Sequence, residues 1–103
     1  MEGTELVAFN IIASVGTARS SYIGAIDAAS EGDFDKAAKL IQEGQEAFNM
    51  GHEAHAELLT KTAQGEKVEM DLLLCHAEDQ LMSAEAFGIL AERFVTLYKK
   101  LGK

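Results

Sequence analysis

The chain has no proline and no tryptophan, one cysteine and two tyrosines among 103 residues. Proline averages about one residue in twenty in ordinary proteins, so its absence favours long helices that nothing kinks. The lone Cys75 excludes an internal disulfide, and the expected compartment is the reducing cytoplasm. No apolar run nears the roughly 20 residues that span a bilayer. Glu2 and Glu5 stand where a signal peptide would carry its basic start. Basic charge is scarce: 9 Lys and Arg against 17 Asp and Glu leave a net charge of −8. That excludes nucleic acid and anionic membrane surfaces as expected partners, since both need a basic face, and it leaves room for a basic protein. There is also no internal repeat, low-complexity stretch or phosphate-binding glycine loop.

What is present is 48% hydrophobic, enough for one folded domain over residues 1–103. The spacing predicts a first helix from about Glu2 to Ser30, with Thr4 as its cap. Its apolar stripe runs through Ile12, Val15, Arg19, Tyr22, Ile26 and Ala29, widened by Leu6, Phe9, Ala13, Gly16 and Ile23. Gly16 sits mid-helix, where close packing against another helix is the expected reason. Arg19 falls in the stripe and needs an anionic partner, either a carboxylate or a phosphoryl group. Gly32 then ends the helix and Asp33 caps the next.

The second helix, Phe34 to Thr62, carries a seam of Phe34, Ala37, Ile41, Gly44, Phe48, Gly51, His55, Leu58 and Thr62. His52 and His55 lie three apart, not the four of a zinc-protease helix, and no third ligand is evident. His52 is expected at the surface and His55 in a cleft. Gly65 marks the second break. The third helix starts between Val68 and Asp71 and ends near Leu101, where Lys99 and Lys100 complement its dipole.

A ladder in threes and fours runs along this last helix through Leu73, His76, Gln80, Ser83, Phe87, Leu90, Phe94, Leu97 and Leu101. Its second half is apolar, while its first half carries an imidazole, an amide and a hydroxyl. A seam that turns polar near a helix start marks a candidate anion site, with His76 as a covalent nucleophile. Cys75, about 100° away around the helix, is expected to pack as a small hydrophobe. A second strip, Met82, Ala86 and Ile89, follows Asp79 in the same rhythm and predicts self-association.

The segment His76-Ala77-Glu78-Asp79-Gln80-Leu81-Met82 resembles the active-site pattern of lactose/cellobiose-type IIA components. These serve the bacterial phosphoenolpyruvate-dependent sugar phosphotransferase system. The resemblance extends to Gly16-Thr17-Ala18-Arg19-Ser20, Glu31-Gly32-Asp33-Phe34 and Gly51-His52-Glu53-Ala54-His55. Glu78 stands where the family has Gln, and Gln80 where it has a second His. The resemblance implies a homotrimer whose His76 takes a phosphoryl group from HPr and passes it to a IIB cysteine. The sugar is a β-linked disaccharide of the cellobiose, lactose or chitobiose type. It also implies that Asp79 is the metal-binding aspartate of the trimer axis, where three carboxylates repel unless a cation binds; oxygen ligands favour one Mg²⁺ per trimer. Gln80, and His55 if the bundle brings it near, are the expected neighbours of the phosphoryl site.

The fold expected is all-α: an up-down-up antiparallel three-helix bundle with two short turns. Two other functions compete with the carrier reading. A non-catalytic helical adaptor would never gain a phosphoryl group. A metal-binding bundle built on His52, His55, His76 and Asp79 lacks the Glu-x-x-His pairs typical of that class.

Overall fold

The computed structural model describes residues 3–102, and they form three helices: α1 (Gly3–Ser30), α2 (Phe34–Ala63) and α3 (Leu72–Lys100). The expected start at Glu2 lies outside the described residues. Thr4 sits inside α1 and is not its cap. The described residues contain no strand. The chain runs up-down-up, as expected, in a rod of 53 × 24 × 19 Å. Helix α1 is the middle member and packs along both others, while α2 and α3 touch each other sparingly.

The first turn follows the residues that signal it. Gly32 takes φ +82°, open to a residue without a Cβ. The Asp33 carboxylate then accepts from the Lys36 N–H at 3.1 Å and caps α2. The second connection is not a short turn. After Gly65 (φ +85°) the chain runs without regular structure until Asp71 caps α3 by accepting from the Leu74 N–H at 2.8 Å. Asp71 precedes the apolar run Leu72-Leu73-Leu74, which is a cap signal legible in the sequence.

The core is built largely from alanine, which lets three helices approach closely. One cluster joins Ala8, Ile11, Val15, Leu58, Leu74, Ala77, Leu81 and Ala84. A second centres on Ala18, Tyr22 and Ala91, and a third on Ala28, Ala29 and Ala37. Glycines admit the largest side chains. A Cβ on Gly44 would stand 2.6 Å from the Tyr22 ring, and one on Gly88 would stand 2.9 Å from it. Tyr22 is thus clasped between α2 and α3.

The α2 seam is buried where the spacing places it, at Ala37, Gly44, Gly51 and Leu58. The α3 seam is not the expected ladder. The buried line is Leu74, Ala77, Leu81, Ala84 and Ala91. The ladder through His76, Gln80 and Phe87 lies one residue over, about 100° around the helix. Its apolar half points outward, with Leu90, Phe94, Leu97 and Leu101 exposed. On α1 the widening residues Leu6, Phe9 and Ile23 are exposed as well. Gly16 meets nothing within 4 Å, so no neighbouring helix of the same chain explains it.

Candidate functional site

Asp71 fixes where α3 begins, and that fixes the register of everything after it. His76 falls in the second helical turn. The Asp71 side chain takes the Leu74 N–H, and the Asp71 carbonyl takes the Cys75 N–H at 3.0 Å. The positive end of α3 therefore already faces a carboxylate. The imidazole of His76 is exposed and makes no hydrogen bond to a described residue.

Gln80 lies one turn beyond His76 on the same side of α3. Its Oε1 accepts a hydrogen bond of 2.5 Å from Nη1 of Arg19, tying α3 to α1. Arg19 is half-buried. Its partner is thus a neutral amide. No carboxylate among the described residues lies within ion-pair distance of it.

Glu78 does not point to solvent. It meets Nδ1 of His55 with its two oxygens at 2.8 and 2.6 Å. This pair joins α2 to α3 where the two helices otherwise touch little. Both side chains line a cavity of about 440 Å³ with Leu58, Val68, Met70 and Leu74, beside the 64–71 connection. Glu78 is two residues from His76, about 200° around the helix, so His55 engages the far side of α3. Within one chain His55 meets Glu78 and not His76. The pair spans 23 residues of sequence, and no local pattern announces it.

Asp79 lies on the outward face of α3, exposed and without an ion-pair or hydrogen-bond partner among the described residues. No three His, Cys, Asp or Glu side chains among the described residues cluster to hold a metal ion. Cys75 is exposed and not packed in the core. His52 is exposed, as expected, its ring 6.3 Å from that of His55. Among the described residues no helix is long and apolar enough to cross a membrane.

On α3 the arrangement offers an exposed, unpaired imidazole at His76, a fork-shaped cation bonded one turn along the helix, and an exposed carboxylate at Asp79 on the adjoining outward strip. The first two suit an incoming anion, and the third on its own holds no metal ion.

Residues 6–99 match the model of a family described as the lactose/cellobiose-specific IIA subunit of the PTS system. The chain is 40% identical over 100 residues to the lichenan-specific phosphotransferase enzyme IIA component of Bacillus subtilis, covering 97% of this chain and 91% of that protein. Its fold is similar to the crystal structure of the PTS cellobiose-specific enzyme IIA from Bacillus anthracis, with a TM-score of 0.95 and 38% identity over 99% of this chain and 94% of the other. It is also similar to a chain in the solution structures of the IIA(chitobiose)–HPr complex of the Escherichia coli phosphotransferase system. There the TM-score is 0.77 and the identity 31%, with both chains covered in full.

Proposed function

The chain belongs to the lactose/cellobiose-specific IIA family of the sugar phosphotransferase system, and from that premise we propose that it is a phosphoryl carrier with His76 as the acceptor. The observation that carries this reading is the state of His76: exposed, unpaired, and set in the family's motif on the outward face of α3. A histidine held for structural reasons is buried or hydrogen-bonded, as His55 is by Glu78.

A neutral nitrogen of His76 attacks the phosphorus of a phosphohistidine on HPr. The new N–P bond forms as the old one breaks, and its electron pair returns to the donor imidazole. A thiolate of the IIB partner then attacks the same phosphorus, and the electron pair of the His76–P bond returns to His76. Both transfers run through loose, charge-rich transition states, so the protein's task is to position groups and stabilise charge. HPr as donor accords with the relative solved in complex with HPr. The acidic surface, with a net charge of −8, suits a basic donor. The relay serves uptake of a β-linked disaccharide from the cytoplasmic side. His55 acts here at a distance, fixing α2 to α3 through Glu78.

The working unit in this reading is a homotrimer that covers the outward strip of α3. Three copies of Asp79 then converge on the axis. One carboxylate per chain is no metal site, but three free carboxylates facing one another suit a hard cation such as Mg²⁺. When bound, the ion cancels their repulsion and steadies the three helices; it takes no part in the transfer.

The test is the intact mass after incubation with phosphoenolpyruvate, enzyme I and HPr, for the wild type and for His76→Ala. The wild type is expected to gain one phosphoryl group (about 80 Da) that is lost in acid, and the variant none. No gain in either protein would leave a non-catalytic bundle. A gain that persists in His76→Ala would move the acceptor elsewhere.

A further inference from the structure

A half-buried arginine ordinarily has a carboxylate beside it, because an uncompensated charge away from water is costly. Arg19 does not. In a chain with 17 acidic residues, its fork is held by the carbonyl oxygen of Gln80. An amide orients a guanidinium without neutralising it. Arginine has five N–H donors. One is directed at Gln80, and no other bond from the guanidinium to a described residue is present. A cation aimed but not satisfied is prepared for an anion that comes and goes.

Its position says which anion. Gln80 follows His76 by one turn, about 6 Å along α3, on the same side of the helix. Through its bond to Gln80 the guanidinium is held against α3 one turn beyond the acceptor imidazole. At the start of α3 the Leu74 and Cys75 N–H groups are already taken by Asp71. Gly16 lies a turn before Arg19 on α1, as His76 lies a turn before Gln80 on α3, and it leaves the space there open.

Resting on the carrier reading, we propose that Arg19 binds the phosphoryl oxygens on His76 and that Gln80 positions it to do so. The guanidinium forms charge-assisted hydrogen bonds to the transferring group and to the phosphohistidine that results. Glutamine at position 80 also keeps this aim constant with pH. A histidine there would carry a proton in acid and repel the arginine.

The test compares the wild type, Arg19→Met, Arg19→Lys, Gln80→Met and His76→Ala, each folded by circular dichroism. The rate of phosphorylation by HPr and the half-life of the isolated phosphoprotein are measured for each. Arg19→Met is expected to slow phosphorylation roughly 10- to 100-fold, the loss that follows removal of one charge-assisted bond. Arg19→Lys should recover part of that rate, because the charge returns without the fork. Gln80→Met keeps the arginine and is expected to fall between Arg19→Met and the wild type. A wild-type rate and half-life in Arg19→Met would overturn the proposal and leave Arg19 as a tie between helices. Should Arg19→Met fail to fold, Gln80→Met decides by the same criterion: a slowed transfer supports the proposal and a wild-type rate overturns it. A wild type that accepts nothing, or a His76→Ala that accepts as well as the wild type, instead defeats the carrier reading and this proposal with it.

Discussion

Helices α2 and α3 are nearly equal in length, 30 and 29 residues, yet their outer faces differ in kind. The outer face of α2 is mainly charged and polar, with Lys39, Glu43, Glu46, Asn49, Glu53 and Glu57 all exposed. The outer face of α3 carries Met82, Ile89, Leu90, Phe94 and Leu97, each at least 40% exposed. One helix has a single apolar line and has buried it, leaving only the isolated Met50 and Leu59 exposed. The other has two and has buried only one. The residues proposed for the site, His76, Asp79 and Gln80, belong to the helix with apolar surface left over. The chemistry of this chain thus sits beside the surface that a second copy would cover.

The widest break in this comparison comes from charging the leftover strip. Leu90→Glu combined with Phe94→Glu is expected to break the homotrimer proposed above into single chains of 11.1 kDa. The helical circular dichroism should stay intact. Met50→Glu with Leu59→Glu, at exposed apolar positions on α2, should leave the mass unchanged. Sedimentation equilibrium decides. A wild type that already sediments at 11.1 kDa would show that the exposed apolar face of α3 is not a contact.

The same two-sidedness explains what the sequence could and could not reveal. On α2 only one three-four line is apolar, so Ala37, Gly44, Gly51 and Leu58 could be assigned inward from spacing alone. On α3 two lines compete, and periodicity cannot say which one faces α1. The line with the larger side chains, through Phe87, Leu90 and Phe94, was the more conspicuous. The line that is buried uses Ala77, Ala84 and Ala91, because a thin three-helix rod has no room for more. His76 was legible because its motif is local. Its surroundings were not. The Arg19–Gln80 bond spans 61 residues and the His55–Glu78 pair spans 23, so both are products of packing. Cys75 departs from its expected packing: free cysteines are usually buried, but this one is exposed.

The next effect in size separates the inner and outer lines of α3 directly. Leu81 is fully buried, whereas Leu97 is 47% exposed. In the Leu90→Glu, Phe94→Glu background, Leu81→Ala should lower the unfolding free energy by about 2–5 kcal/mol through loss of contacts and an unfilled cavity. In that background Leu97→Ala should change it by less than about 0.5 kcal/mol. Urea denaturation measures both. Equal losses would mean that the two lines are equally buried in the single chain.

Smaller again is the contrast between two helical glycines. A Cβ at Gly44 would press on the Tyr22 ring at 2.6 Å, so Gly44→Ala should cost about 1–3 kcal/mol by overpacking. Gly16 has open space, so Gly16→Ala should be neutral or gain up to about 1 kcal/mol of helix propensity in the same monomeric background. A cost at Gly16 comparable to that at Gly44 would mean that α1 packs there against something within its own chain.

The smallest effect at neutral pH sits at Tyr22, where α1 is held against both other helices at once. Burial, with the Glu92 carboxylate as a second cause, raises the Tyr22 phenol above its ordinary value of 10.0. The folded chain therefore holds this proton more tightly than the unfolded chain does. The stability it contributes is full below about pH 10 and is lost as pH rises through the folded value. Tyr22→Phe keeps the ring that Gly44 and Gly88 accommodate and removes the titrating group. At pH 7 the two proteins should differ little, because the hydroxyl makes no hydrogen bond to a described residue. Above pH 10 the wild type should lose stability more steeply than Tyr22→Phe, and the difference between the two curves cancels the lysines and Tyr98 that both share. Parallel curves would mean that the phenol stays wet in the folded state, while the ring itself remains packed against Gly44 and Gly88.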